Sequence, residues 1–129
     1  MEKKIIQPQE LYKNPYYSHV IKVPAGTLIF VAGQVARDKD GNTVGKGDMF
    51  AQARKSYENL KLALEAAGAT LGDVIKTTIF VTNMEAFQKV SQVRTEYFPT
   101  NPPANTLVEV RRLAHPDLLF EIEAIAVVK

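Results

Sequence analysis

Apolar residues recur along this chain with two different periods, and the switches between them mark out its elements. Phe50, Ala53, Tyr57, Leu60, Leu64 and Ala67 are spaced three and four apart, which is one face of a helix. Asp48 stands where an N-cap belongs and Gly68 where a left-handed residue closes a helix. The expected role of that stripe is packing on a sheet. Ser18–Val23 and Thr27–Gly33 are β-rich runs separated by Pro24-Ala25-Gly26, a pattern that predicts an antiparallel hairpin. The polar segment Asp38–Thr43 reads as a loop. Val74–Thr82 is dense in β-branched residues and predicts a strand. Asn83 is placed to cap a second helix bearing Phe87, Val90 and Tyr97, ending near Phe98-Pro99. After the stiff Pro99–Pro103 loop, Asn105–Val110 and Leu119–Val128 supply the last strands, joined through His115-Pro116-Asp117.

The resulting order, ββ-α-β-α-ββ, predicts an α+β fold in one domain, residues 1–129. Two helices should cover one face of a single mixed sheet. The final strand is apolar at both parities in Phe120–Val128, and a strand of that kind is buried on both faces. Two helices can cover only one face, so the other is expected to be covered by further copies in an obligate homo-oligomer.

Composition narrows the chemistry. A chain of 129 residues, 46% hydrophobic, needs no disulfide or metal to hold a core. Sixteen Lys and Arg against fourteen Asp and Glu leave a net charge of +2, too little for the electrostatic footprint of a nucleic-acid binder, so nucleic acid is not the expected partner. The absence of Cys removes disulfides, thiolate zinc sites and cysteine nucleophiles. His19 and His115 lie far apart with no metal-binding spacing, so no metal is expected. Met1–Pro8 lacks the apolar core of a secretory signal, and no stretch approaches the ~20 apolar residues of a membrane helix. The expectation is a cytoplasmic protein with no membrane partner.

Particular strings carry more. Pro15-Tyr16, Ala32-Gly33-Gln34-Val35, Gln52-Ala53 with Asn59-Leu60, and Gly72-Asp73-Val74-Ile75-Lys76-Thr77-Thr78 resemble the RidA (YjgF, L-PSP) family. So do Val108-Glu109-Val110 and the closing Glu121-Ile122-Glu123-Ala124-Ile125-Ala126. The resemblance spans nearly the whole chain and implies a chorismate-mutase-like fold. It further implies a homotrimer with a β-lined centre and small-molecule ligands at the subunit interfaces. The implied activity is cofactor-independent hydrolysis of reactive imines and enamines to ammonia and an oxo compound. Tyr16 and Glu121 match the family's pocket tyrosine and first strand carboxylate. Three positions depart from the pattern: Asn105 stands where the family's deaminases carry an arginine in Pro-Ala-Arg-Ser/Thr, Leu107 where Cys is frequent, and Ala32 where Ser is usual.

These departures have a chemical direction. A guanidinium gives a carboxylate two parallel charged donors, whereas Asn offers one neutral amide. Charge-assisted hydrogen bonds contribute ~1.5–3 kcal/mol and neutral ones ~0.5–1.5 kcal/mol, so the exchange costs a tenfold or greater loss of affinity for a carboxylate. Arg111 lies roughly 20 Å along the strand from Asn105 and Arg112 points to the other face, so neither fills the place within one copy. Ala32 and Leu107 make the pocket less polar. The expected catalytic groups are Glu121, once burial raises its pKa, and Tyr16; Ala32, Gly33, Asn105, Thr106 and Leu107 are the expected ligand-binding positions. Each also has a plain structural reading: a loop anchor for Tyr16, a bulge for Gly33, a β-edge residue for Thr106. The expected function is a RidA-like hydrolase or deaminase, weak on 2-imino acids. The alternatives are a non-catalytic trimeric metabolite binder and, with less support, an RNA-acting protein of the L-PSP type.

Overall fold

The computed structural model describes residues 2–129. In chain order they form β1 (Lys4–Ile6), β2 (Val20–Lys22), β3 (Thr27–Val35), α1 (Met49–Ala66), β4 (Val74–Val81), α2 (Met84–Gln88), α3 (Val93–Tyr97), β5 (Ala104–Glu109) and β6 (Phe120–Val128). Four strands make one mixed sheet in the order β3-β6-β4-β5, with β6 antiparallel to both neighbours and β5 parallel to β4. Ile79 and Val81 of β4 and Phe120, Ile122, Ala124 and Ala126 of β6 turn toward the helices. They form one core with Tyr57, Leu60 and Leu64 of α1, Phe87 of α2 and Val93 of α3. This is the expected α+β layering.

α1 forms where the periodicity places it. Asp48 Oδ1 accepts the Ala51 N–H at 3.0 Å, and Gly68 adopts φ 79° just past the helix end. The buried stripe is rotated slightly from the expected one. Met49, not Phe50, enters the core; Phe50 is exposed, with the Arg54 guanidinium 5.7 Å from its ring centre. The stripe also hides a polar residue that hydrophobic spacing passes over. Gln52 is fully buried, donates from Nε2 to the carbonyls of Gly45 (3.1 Å) and Asp117 (2.8 Å), and accepts from Leu119 N–H at 2.8 Å. One turn-pair further on, Asn59 Nδ2 donates to Val35 O (2.9 Å) and Arg37 O (3.0 Å). α1 therefore grips the chain as it leaves β3 and as it enters β6.

Two local expectations fail. The predicted hairpin does not form: β2 pairs with β1, through Val20↔Ile6 and Lys22↔Lys4, in a separate two-stranded sheet. Val23-Pro24-Ala25-Gly26 contains no primed two-residue turn to reverse the chain tightly, and β3 finds a nine-residue partner in β6 instead. The predicted second helix starts at Asn83, whose Oδ1 accepts Ala86 N–H at 3.0 Å, but breaks into α2 and α3. At the break, Ser91 Oγ donates to Gln88 O, a local bond that competes with helix continuation.

Gln52→Leu is expected to destabilise the fold by about 3 kcal/mol, because it preserves the packed volume while stranding two carbonyls and one N–H in the interior. Urea denaturation at a fixed protomer concentration measures it; a change within experimental error would show that these backbone groups find other partners.

Candidate functional site

The site begins at an irregularity in β3. Val31 pairs with Ala124 and Gln34 with Ile122, so Ala32 and Gly33 together oppose Glu123 in a β-bulge. Glu121, two residues back along β6, lays its side chain over Gly33. A Cβ at that glycine would lie 2.7 Å from the Glu121 Cδ and 3.0 Å from its Cγ. Gly33 is thus the floor of a carboxylate cradle within the bulge. Glu121 alternates with the buried Phe120 and Ile122, so it faces away from the helices, beside Phe80 of β4 and Val35 of β3. It makes no hydrogen bond or ion pair among the described residues. Burial raises its pKa, the nearby Glu123 carboxylate adds to the rise, and Arg37 opposes it.

Residues 105–107 divide between the two faces of the sheet, as consecutive strand residues must. Thr77, buried on the helix side, donates from Oγ1 to Asn105 Oδ1 at 2.7 Å, so Asn105 faces the helices. Leu107 packs against the core on that same side. Thr106 points the other way, toward the Glu121 face, and accepts from Lys76 Nζ at 2.8 Å. Tyr16 belongs to the helix side. Its N–H is held by Asn14 Oδ1, and its ring lies 4.1 Å from the Arg94 guanidinium, which also sits 5.2 Å from the ring of buried Phe87. The neighbouring Ser18 anchors this segment to the loop before β5 through Pro103 O and Pro102 O.

The structure therefore brings the expected residues into two groups. Glu121, Ala32, Gly33 and Thr106 lie on the face left open, while Tyr16, Asn105 and Leu107 lie on the helix-covered side. The open face carries apolar residues as well: Phe30 is 71% exposed, Leu28 53% and Val108 36%. Two arginines escaped the sequence reading. Arg37 acts on Glu121 through space, and Arg94 clamps Tyr16; neither follows from spacing, since each meets its partner only through the tertiary fold. Among the described residues no three His, Asp or Glu side chains converge as a metal site would require, and no helix is long and apolar enough to cross a membrane.

A sheet covered by helices on one face, with a carboxyl of raised pKa on the other, defines a small α+β protein. The model of the Endoribonuclease L-PSP family matches residues 8–128. A RutC family protein of Pyrococcus horikoshii is 47% identical over 110 residues, covering 85% of each chain. The 2-iminobutanoate/2-iminopropanoate deaminase of Salmonella typhimurium is 40% identical over 112 residues, 84% of this chain and 86% of that one. The crystal structure of YyfB, a Rid family protein of Yersinia pestis, superposes with a TM-score of 0.90 at 35% identity, covering 99% of this chain and 100% of that one. The chain belongs to the RidA/YjgF/L-PSP family.

A carboxyl whose pKa is raised in the folded state binds its proton more tightly there than in the unfolded chain. Its contribution to stability is complete below the ordinary glutamate range and is lost as pH rises through the raised value. Glu121→Gln is accordingly expected to raise Tm at pH 7, with the gain shrinking as pH falls toward about 4. Thermal melts across that range check it; a gain independent of pH would place the effect in packing rather than charge.

Proposed function

We propose that this protein is a cofactor-independent RidA-type hydrolase acting on small imines, enamines or related reactive carbonyl metabolites. It works as a homotrimer whose ligands sit at the subunit interfaces. The observation that carries the reading is the Glu121 carboxyl: cradled on Gly33, without an internal partner, and with its pKa raised by burial. Such a group can donate a proton to an imine nitrogen while water adds to the C=N carbon. A proton of the added water passes to that nitrogen, and the ammonium group so formed leaves as ammonia while the remaining hydroxyl proton returns to the carboxylate, leaving the carbonyl compound. Atoms balance as imine plus water giving carbonyl plus ammonia. The deaminase name of the Salmonella relative supports this class of reaction.

The division of the site residues between two faces supports the oligomeric part of the reading. Tyr16 and Asn105 lie on the opposite side of the sheet from their own Glu121, so a ligand held by all three types of residue would need a second copy to supply some of them. The reading also keeps 2-imino acids as poor substrates. Asn105 offers no charge, and its Oδ1 is already taken by Thr77, so at most its amide N–H groups remain for a carboxylate. That engagement is the one observation favouring a second reading, a trimeric metabolite binder without turnover. An RNA-cleaving role draws no support from a net charge of +2.

Ammonia release from 2-aminoacrylate, generated in situ by serine dehydratase, tests the activity against a protein-free control. The wild type is expected to give a small acceleration, Glu121→Gln none, and Asn105→Arg a gain of about tenfold. Inertness of both wild type and Asn105→Arg would favour the binder. The assembly is tested by sedimentation velocity, where the wild type is expected as a trimer and Phe30→Glu, which places a charge in the open apolar face, as a monomer. A monomeric wild type would sink the interface reading.

A further inference from the structure

A cavity of about 650 Å³ lies at the outer edge of β3, between the end of that strand and α1. That volume falls in the range of small-molecule sites. Arg37, Lys39 and Lys55 line it, with Asp38 as the carboxylate among them. Asp38 Oδ1 accepts the N–H groups of Asn42 (2.9 Å) and Asp40 (3.0 Å), closing the loop on itself, and its carboxylate offsets part of the Lys55 charge, which leaves Arg37 and Lys39 in excess. None of the three cations forms a salt bridge among the described residues. Cations that share a concave wall repel one another, so the arrangement favours an anion that relieves the repulsion.

The rest of the wall limits what kind of anion fits. Val35 and Leu62 line it with apolar surface, and Leu62 is 63% exposed. The backbone of the wall is held in place, since Asn59 on α1 binds the carbonyls of Val35 and Arg37. Gly33 lines this cavity and also lies under the Glu121 carboxyl, so the two adjoin at a residue without a side chain. A bare inorganic ion would leave the apolar wall unused. An organic anion would use both.

We infer that this cavity binds the anionic end of a small organic ligand, a carboxylate or phosphate monoester carried on an apolar body, whose other end reaches Glu121 across Gly33. Arg37 and Lys55 supply the charge from opposite walls, with Lys39 at the rim. The reach to Glu121 rests on the hydrolase reading, and the anion site does not. Combined, they define the substrate as an imine whose anionic group stands apart from the C=N carbon.

Three probes share an aromatic ring and differ in charge: phenyl phosphate, benzoate and neutral benzyl alcohol. In calorimetric titrations of the full-length protein at low salt, at least one anion is expected to bind saturably with Kd below about 1 mM while benzyl alcohol does not. Binding of phenyl phosphate alone assigns a phosphate ester, and of benzoate alone a carboxylate. Arg37→Gln/Lys55→Gln is expected to weaken binding about tenfold or more. Lys39→Glu, at an exposed position where folding is not in question, should weaken it in the same direction. Glu121→Gln should leave it unweakened. Failure of both anions, equal binding of the neutral ring, or wild-type affinity in the charge variants would overturn the site. Intact anion binding in a protein inert toward every imine offered would overturn the hydrolase reading alone.

Discussion

A four-stranded sheet has two faces, and this chain carries helices for one of them. Burial on the helix side is complete: Phe120, Ile122 and Ala126 on β6 are sealed from solvent by α1 and α2. The opposite side is covered only in part, with Val127 buried, while Phe30 and Leu28 stand in water at an energetic cost that scales with their exposed apolar area. Placing Glu121 on that side has a chemical consequence. Burial there already raises the Glu121 pKa, and any further covering of the face would raise it more. The raised pKa and the exposed apolar patch are then two features of one surface.

Many of the residues through which the chain resembles its family hold backbone rather than ligand. Gln52 and Asn59 bind the carbonyls on either side of α1, and Glu109 Oε1 accepts the N–H of Met84 at the start of α2. Asp73 Oδ2 accepts from Thr70 N–H at the turn into β4. Each of these groups would otherwise be an unpaired polar atom at an element end, where the helix or strand ladder cannot satisfy it. Their side chains keep the bulge at Ala32-Gly33 and the strand end at Arg37 in fixed relation to β6, and only then can a carboxylate rest on a glycine.

Periodicity made the elements legible wherever one rule governed. α1, with both caps, and the strands β4 and β6 appear where their patterns place them, because a long helix and a buried strand are each fixed by local spacing. Competition between rules hid the rest. The hairpin at Pro24–Gly26 lost to a longer partner distant in sequence, and Phe50 lost its core place to Met49 once the helix axis was set by Gln52. Glu121, Gly33 and Tyr16 were legible as chemistry through the family strings, but their partition between two faces was not. Parity along β5 depends on the register Thr77↔Asn105, which no local pattern states. Arg37 and Arg94 were invisible for the same reason, since a loop cation acquires its meaning from whatever it lands beside.

Arg37 links the two halves of the Glu121 face. Its charge stabilises the Glu121 carboxylate and so works against burial and Glu123, which both favour the acid form. An anion bound against Arg37 would cancel part of that stabilisation, and the Glu121 proton would be held more firmly. By linkage the relation runs both ways: a protonated Glu121 removes a competing negative charge from the neighbourhood and lets the anion bind more tightly. A ligand that brought its own negative charge to the cavity would therefore raise the Glu121 pKa further. A neutral ligand would leave the opposing effect of Arg37 on Glu121 unchanged. In such an arrangement the charge on the ligand would shift the proton affinity of the group beside it, without any residue having to move.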